Sequence, residues 1–378
     1  MAHLKKQTNK QSETTMSVIP QNQKTTAAAI LKKYEETKQE HRAHLGASEI
    51  GNECMRALWY SFRWCSEKNF EGRMLRLFNS GHREEERFIR ELKSIGAEIY
   101  DKDEETGGQI NFKEFGGHFA GSCDGIARGT PEGPKSWAIC EFKTHSAKSF
   151  TKLEEEGVKK SKPMHYAQMQ VYMGKFELDR ALYLACNKDT DALYSEWIYF
   201  EKHTYEALLK KAHSIVFAAS PPVGISENPE AFGCKFCDHK SVCHEKIVPG
   251  ANCRTCARST PDIDGSWRCD LTKKILSVED QRLGCSDHLY IPDLLGFAVA
   301  LDYQDTYVFY EAKTKDGTIS FANATRAGKE RAMKESPRFA IYESKELERA
   351  GPEIVGHKII NQVKIELQGT MRVEKNGA

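Results

Sequence analysis

Two acidic residues and one lysine near the middle of the chain have the types and spacing of a metal site. Asp124 lies in the apolar segment HFAGSCDGI, and Glu141 and Lys143 lie in WAICEFKTH, after the turn PEGP. Apolar segments bounded by Gly and Pro predict two paired strands, and Glu141 and Lys143 share one face of the second. Carboxylates suit Mg²⁺ or Mn²⁺, and a neighbouring lysine can hold or activate a water molecule. The pattern predicts a metal-and-water site, although Glu141 and Lys143 alone would equally suit an exposed ion pair on a sheet.

A helix predicted for the segment HYAQMQVYM adds two polar residues to this region. Gln168 and Tyr172 are four positions apart, so both lie on one face of that helix. The series Asp124, Glu141-x-Lys143 and Gln168-x-x-x-Tyr172 resembles the PD-(D/E)XK nuclease superfamily. Its last motif resembles the RecB-type and CRISPR-associated adaptation branches. Because all the motifs occur in order, they favour the nuclease interpretation over the exposed ion pair.

The segment LFNSGHREEERFIRELKSIGAEI, which precedes the two strands, predicts an amphipathic helix. Glu85 and Phe88 fall on its apolar face, whereas Glu84 and Glu86 are predicted to face solvent. A carboxylate on a buried face needs a partner, which can be a metal ion or an arginine. In the family that the chain resembles, a helix residue four positions after a glycine completes the metal site. That position is Glu85 here, and His82 is the alternative.

The resemblance also implies a role for each of these residues. Mg²⁺ or Mn²⁺ would be bound by three carboxylates and one backbone carbonyl, those of Glu85, Asp124, Glu141 and Phe142. Lys143 would orient or activate the attacking water, and Gln168 and Tyr172 would position Lys143 or the DNA strand. Phosphodiester hydrolysis suits cations that contact both the attacking and the leaving oxygen.

Four cysteines that enclose this region have metal-ligand spacing: Cys54 before it, and Cys234, Cys237 and Cys243 after it. Cys54 lies in a segment predicted to be helical from Ser48 onward. Ligation by thiolates alone, with one distant in sequence, suits a [4Fe–4S] cluster. The arrangement resembles the AddB and CRISPR-associated nucleases, in which the cluster links the ends of the nuclease core. A zinc ion with His239 or His244 as fourth ligand is the alternative.

A second group of cysteines follows at once: Cys253, Cys256, Cys269 and Cys285. A CxxC pair with two later ligands predicts a structural zinc site, and His288 could replace one cysteine. The two groups use eight of the twelve cysteines. The remaining four are predicted to be packing residues: Cys65, Cys123, Cys140 and Cys186.

Composition places the chain among ordinary globular proteins. Apolar residues make up 39% and charged residues 29% of 378 residues, and the net charge is +1, so any DNA-binding surface must be local. No apolar run has the length of a membrane span, and the first residues lack the apolar core of a signal peptide. We therefore expect a cytoplasmic protein, in the host cytoplasm if it is phage-encoded. Twelve cysteines in a reducing compartment indicate metal binding rather than disulfides.

The predicted fold is α/β. A restriction-endonuclease-like core, with a mixed sheet flanked by helices, is followed by a Cys-rich zinc module and a small α+β module. We expect a flexible tail at 1–25, the nuclease core at 26–248, the zinc module at 249–289 and the last module at 290–378. The last module is predicted to contain a hairpin at KDG and a helix over KESPRFAIYESKELERA.

The resemblance, which covers about residues 45–245, implies a metal-dependent DNA exonuclease. The accessory segments favour a phage-type enzyme of recombination, replication or repair over a CRISPR adaptation nuclease. The partners expected are single-stranded DNA or duplex ends, and a recombination or annealing protein. The alternative from another class is a non-catalytic iron–sulfur or zinc module that binds DNA. The sequence leaves RNA open as a substrate.

Overall fold

The computed structural model describes residues 25–37, 40–67, 70–314, 317–357 and 360–367. Residues 1–24, nearly the whole of the predicted N-terminal tail, lie outside this part. The described helices are α1 (Thr26–Glu35), α2 (Met55–Phe62), α3 (Gly72–Ser94), α4 (Ala147–Ser161), α5 (Pro163–Phe176), α6 (Lys202–Val216), α7 (Phe232–Lys235), α8 (Lys240–Cys243), α9 (Val278–Leu283), α10 (Lys329–Glu335) and α11 (Ser344–Gly356).

The strands fall into two groups along the chain. The first eight are β1 (Leu45–Gly46), β2 (Glu98–Tyr100), β3 (Asn111–Glu114), β4 (Phe119–Ser122), β5 (Gly125–Arg128), β6 (Ala138–His145), β7 (Arg180–Asn187) and β8 (Leu193–Tyr199). The later six are β9 (Ser259–Pro261), β10 (Trp267–Cys269), β11 (Ala298–Gln304), β12 (Tyr307–Thr314), β13 (Gly317–Ala324) and β14 (Ala340–Tyr342).

One compact unit comprises the described residues of Met1–Lys38 together with Phe70–Asn79. Within it, the backbone N–H of Gly72 donates to the Glu35 carboxylate over 2.7 Å, and the rings of Phe70 and Phe78 meet edge to face. The other unit comprises Gln39–Asn69 and Ser80–Ala378, and it contains every residue of the sites discussed below.

The larger unit is built on a five-stranded sheet in the order β2-β5-β6-β7-β8. β6 and β7 are parallel, and the other neighbours are antiparallel. A parallel pair needs a crossover, and the chain supplies it as α4 and α5 between β6 and β7. The helix predicted around Gln168 and the two strands predicted after it are therefore present. The chain is a mixed α/β protein with mixed sheets flanked by helices, as the sequence predicts at this coarse level.

A second sheet has three strands in the order β1-β4-β3, and Asp124 lies where the chain passes from β4 of this sheet to β5 of the five-stranded one. The sequence predicts one long strand through Asp124, but this is wrong: β4 ends at Ser122 in one sheet and β5 begins at Gly125 in the other. The Asp124 carboxylate accepts a hydrogen bond from the backbone N–H of Phe142 over 2.7 Å. The side chain thus takes over a donor of β6 just beyond the last ladder pair, Gly125 with Cys140.

Two predicted helices differ from the structure. Cys54 precedes α2 as its N-cap residue instead of lying inside a helix that begins at Ser48. The single helix expected over KESPRFAIYESKELERA is interrupted, since β14 pairs in parallel with β13 between α10 and α11. Pro337, which lacks a backbone N–H, occurs at this interruption. The predicted hairpin is β12 and β13, but the turn residues 315 and 316 lie outside the described residues.

One hydrophobic core of the larger unit extends from Leu45 to Val355, so the Cys-rich segment shares buried surface with α2. Two arginines, Arg63 and Arg254, are buried in this contact. Arg254 donates to the carbonyl of Phe62 over 2.8 Å and lies over the Trp267 ring, while Arg63 donates to the Arg254 carbonyl. Guanidinium groups bonded to carbonyls thus fix the Cys-rich segment to α2.

Among the described residues, no helix combines the length and the apolar composition that crossing a membrane requires.

Candidate active site and cysteine sites

Strand β6 brings a carboxylate and an ammonium group together inside the protein. Glu141 is fully buried, and its carboxylate contacts the ammonium of Lys143, which lies on the same strand face. The Lys143 Nζ also lies 3.8 Å from Oδ2 of Asp124 and donates to the Phe142 carbonyl over 3.0 Å. Three groups that the sequence associates with one site therefore lie within a few ångströms of the Lys143 ammonium.

Burial determines the protonation of this cluster. It is the main cause of a raised pKa of about 7 at Glu141; the Lys143 ammonium opposes this shift, and the Asp124 carboxylate adds to it. At Lys143, burial works against the charged form. The Glu141 and Asp124 carboxylates outweigh it, and the pKa of Lys143 is raised above its ordinary value. The ammonium therefore keeps its proton at neutral pH.

A polar cleft of about 470 Å³ opens beside this cluster. It is lined by four of the predicted site residues, Glu85, Asp124, Gln168 and Tyr172. Arg42, His82 and Lys113 line the same cleft. Lys143 and Phe142 line a smaller adjoining space of about 140 Å³, and Glu85 borders both spaces. The basic groups Arg42 and Lys113 were missed in the sequence, because both stand in segments with no distinctive spacing.

Helix α5 presents Gln168 and Tyr172 on one face, as their spacing predicts. The Gln168 side-chain amide donates to the Tyr172 hydroxyl over 3.0 Å, and this hydroxyl donates to the Ser122 carbonyl over 2.7 Å. A Cβ at Gly121 would lie 3.0 Å from the Tyr172 hydroxyl, so a glycine is needed there. Tyr172 thus holds the end of β4, and with it the approach to Asp124.

Helix α3 carries its acidic residues differently from the prediction. Glu85 is half-buried and borders the cleft, where its carboxylate lies 3.5 Å from Nδ1 of His82. Glu86 is exposed, as predicted, but Glu84 is less exposed than Glu85, at 18% against 28% of its side chain. The prediction that Glu84 faces solvent is therefore wrong.

Glu84 belongs to a second group of possible ligand atoms. One ligand atom each of Glu84, Cys186 and Asp191 lies within 4.8 Å of the others. Arg87 already neutralises this group, since its guanidinium forms two hydrogen bonds with Asp191, of 2.7 and 3.0 Å, and lies 3.5 Å from Glu84. The arrangement is that of an ion-pair network around a buried cysteine.

Behind β6 lies a buried network that the sequence did not reveal. The Tyr183 hydroxyl lies 2.8 Å from Nε2 of His145 and 2.9 Å from Nδ1 of His165. Burial lowers the pKa of His145 to about 4 and that of His165 to about 3, so both rings are neutral at neutral pH. Tyr183 pairs with Glu141 in the β6–β7 register. This contact depends on the register between β6 and β7, which the sequence does not specify, so no local pattern signalled it.

The first cysteine group comes together in space. Four cysteines line one cavity together with Arg56 and Tyr60: Cys54, Cys234, Cys237 and Cys243. They do so although Cys54 and Cys234 are 180 residues apart in sequence. His239 and His244 border the cavity too, and Nδ1 of His239 lies 3.0 Å from the Ser66 hydroxyl. The Lys211 ammonium donates to the carbonyls of Ile50 and Asn52 and so holds the loop before Cys54.

The second cysteine group is also assembled. Burial, followed by the neighbouring thiols of Cys256, Cys285 and Cys269, raises the pKa of Cys253 to about 12. The β9–β10 hairpin carries Cys269 at its end. His288 is buried, and its Nε2 lies 3.2 Å from the Thr255 hydroxyl.

All twelve cysteines are free in the structure. The four predicted to be packing residues are buried: Cys65, Cys123, Cys140 and Cys186. Among the described residues, no three thiols of either group lie within 4.8 Å of one another. Sulfurs on one zinc ion stand about 3.8 Å apart, from Zn–S bonds of about 2.3 Å in a tetrahedron. Within the described part of the chain, the thiols of neither group therefore show the spacing expected around a single zinc ion.

The residues around Glu141 and Lys143 fit a divalent cation. Both carboxylate oxygens of Glu141 are buried and accept no hydrogen bond in the described structure, and only the Lys143 ammonium compensates their charge. The oxygens of Asp124 and Glu85 and the carbonyl of Phe142 add hard ligands of the type that Mg²⁺ and Mn²⁺ prefer.

Comparisons with known proteins give weak likenesses. No family model and no curated protein matches the chain. The crystal structure of SSO0001 is similar with a TM-score of 0.37 and 15% identity, covering 59% of this chain and 98% of that one. The crystal structure of LHK-Exo in complex with dAMP is similar with a TM-score of 0.34 and 15% identity, covering 49% of this chain and 90% of that one. The crystal structure of an alkaline exonuclease (LHK-Exo) from Laribacter hongkongensis is similar with a TM-score of 0.30 and 14% identity, covering 49% of this chain and 90% of that one. TM-scores this low establish neither the fold nor the activity of this chain.

Proposed function

We propose that this chain is a metal-dependent exonuclease of the PD-(D/E)XK type that hydrolyses phosphodiester bonds in DNA. One observation carries the proposal. The Lys143 ammonium contacts the buried Glu141 carboxylate and lies 3.8 Å from Asp124, at the edge of a cleft that Glu85, Gln168 and Tyr172 also line. A chance ion pair on an exposed sheet would not bury a carboxylate whose described partner is one ammonium beside a second carboxylate.

In this proposal the acidic groups hold Mg²⁺ or Mn²⁺, and the ligands are the side chains of Glu85, Asp124 and Glu141 and the carbonyl of Phe142. The bound cation would polarise the phosphate and stabilise the leaving oxygen. Lys143 orients the attacking water with its fixed ammonium charge, since its raised pKa keeps it protonated. Gln168 and Tyr172 hold the end of β4 through the Ser122 carbonyl and so fix Asp124.

The cleft supports a nucleic-acid strand as the substrate. Arg42 and Lys113 lie on its wall, where they can contact the phosphodiester backbone, although the net charge of the chain is only +1. A local patch of this kind suits a single strand or a duplex end. The sequence beyond residue 249 exceeds what a minimal adaptation nuclease needs. A phage-type role in recombination, replication or repair, with a recombination or annealing protein as partner, is therefore the role we favour.

We further propose that the first cysteine group holds a [4Fe–4S] cluster and the second a structural zinc ion. The cluster ligands are Cys54, Cys234, Cys237 and Cys243. The zinc ligands are Cys253, Cys256, Cys269 and Cys285. Twelve free thiols support a reducing compartment such as the cytoplasm. The cluster would join the two ends of the nuclease core, since its ligands lie on both sides of it.

The substrate class can be tested with four nucleic acids of equal length. The wild-type protein is incubated with Mg²⁺ or Mn²⁺ and with end-labelled linear duplex DNA, linear single-stranded DNA, covalently closed circular DNA and linear RNA. We expect release of nucleotides from linear DNA, none from the circle, and none when a chelator replaces the metal. Cutting of the circle at the rate of the linear DNA would overturn the exonuclease assignment, and cutting of RNA alone would overturn the substrate.

A further inference from the structure

Arg56 stands between the two segments that supply the first cysteine group. It lies in α2, two residues after Cys54. Its guanidinium donates through Nη1 to the sulfur of Cys243 over 3.6 Å and through Nε to the Pro222 carbonyl over 2.9 Å. The arginine therefore links the helix that begins at Cys54 directly to the cysteine at the far end of the triplet.

The backbone of the segment before the triplet holds this guanidinium in place. A Cβ at Gly224 would lie 3.1 Å from Cζ of Arg56, so the glycine lets the chain pass close to the guanidinium. Glu227 lies 3.7 Å from Nη1, but its side chain is 84% exposed, so this ion pair adds little. Arg56 itself is only 20% exposed. Its orientation toward Cys243 is thus fixed mainly by Pro222 and Gly224.

We propose that Arg56 is a positioning residue that holds Cys243 and raises the reduction potential of the proposed iron–sulfur cluster. The inference rests on the cluster proposed above. Four thiolates give the oxidised cluster two net negative charges, and uptake of one electron from an external one-electron donor adds a third. A cation hydrogen-bonded to a ligand sulfur stabilises the more negative form more strongly. Hydrogen bonds to the sulfurs are among the features that determine such potentials.

A second cation, Lys211, acts differently. The Lys211 ammonium is engaged by the carbonyls of Ile50 and Asn52, 2.9 and 2.5 Å away, and therefore fixes the loop before Cys54 rather than a ligand sulfur. This difference makes Arg56 the residue to vary.

The test compares wild type with Arg56→Gln and Arg56→Lys, and uses Arg338→Gln as a control because Arg338 is exposed. Each protein is purified without oxygen, its iron is counted, and it is titrated with dithionite in the presence of redox mediators. The reduced cluster is followed by electron paramagnetic resonance. Arg56→Gln should lower the equilibrium constant for reduction about tenfold, which is about 59 mV for one electron. Arg56→Lys should cause a smaller shift in the same direction, and Arg338→Gln none.

Each outcome decides between the two proposals. Because the potential is read only from protein that holds iron, a variant that loads poorly still gives a result. Equal potentials for wild type and Arg56→Gln would overturn the role of Arg56 and leave the cluster in place, even if Arg56→Gln loads less iron. Absence of iron from anaerobic wild type would overturn the cluster and this inference together.

Discussion

Lys143 and Glu141 allow a quantitative prediction of how stability responds to loss of the ammonium. Glu141 is fully buried, and among the described residues its oxygens accept no hydrogen bond apart from the contact with the Lys143 ammonium. Lys143→Met keeps the apolar stem but leaves this carboxylate beside that of Asp124. Removing one partner of a buried ion pair costs about 3–5 kcal/mol. Because 26% of the Lys143 side chain is exposed, we expect the lower end, about 3 kcal/mol of the free energy of unfolding.

The assay is urea unfolding followed by tryptophan fluorescence, with a chelator present. Lys148→Met is the matched control, since Lys148 is exposed on α4. Adding Glu141→Gln to Lys143→Met removes the uncompensated charge, so the double variant should regain about 2 kcal/mol of the loss. Replacing the chelator by millimolar Mg²⁺ should stabilise Lys143→Met more than wild type, because a bound cation substitutes for the ammonium.

Two results would refute this reasoning. The first is unfolding of Lys143→Met at the same urea concentration as Lys148→Met, which would mean that water already compensates Glu141. The second is a double variant less stable than Lys143→Met alone, which would mean that the cost arises from lost packing rather than from a buried charge.

Three further predictions follow from the geometry. Glu85→Ala should lower Mg²⁺-dependent cleavage about 100-fold or more, whereas Glu84→Ala should keep it; equal losses would contradict the proposal that Glu85, and not Glu84, is a metal ligand. Cys54→Ala should lose iron and become sensitive to protease, whereas Cys65→Ala should keep its iron, as measured by metal analysis. A Cys54→Ala protein that still holds iron would show that Cys54 is not a cluster ligand. Gly116→Ala should lower the free energy of unfolding by at least about 1–3 kcal/mol, since φ is 64° there and a Cβ would clash with the backbone of Asp264 in the turn between β9 and β10; an unchanged melting temperature would refute this.

Local patterns in the sequence predicted the parts of the site that lie within single elements. Alternation along one strand was enough to put Glu141 and Lys143 on the same face. Helical spacing did the same for Gln168 and Tyr172. These relations depend only on the geometry of a strand or a helix, which every residue in the element shares.

Relations between elements were harder to predict. Asp124 lies where the chain leaves one sheet for another, and nothing in the apolar run HFAGSCDGI marks that change. The orientation of Glu84 follows from Arg87 and from Asp191, which is more than a hundred residues away in sequence. Tyr183 meets Glu141 only through the strand register. In each case the partner is distant in sequence, so local pattern carries no signal for it.

The predicted helix at the C-terminal end shows how tertiary pairing overrides local preference. The sequence predicts one helix through this segment, yet Ala340–Tyr342 form a strand that pairs with β13. Pro337 prevents the helix from running through, and the open edge of β13 offers hydrogen bonds to the residues that follow.

The most direct test of the proposed activity compares cleavage by wild type and Lys143→Ala. End-labelled linear DNA is incubated with excess protein and Mg²⁺, and single-turnover cleavage and DNA affinity are measured in parallel. We predict that wild type releases nucleotides only with the metal, and that Lys143→Ala cleaves about 10²–10³-fold more slowly while its DNA affinity is retained, because a preorganised charge is lost. Cleavage by Lys143→Ala at the wild-type rate, or by wild type in a chelator, would contradict the proposed active site.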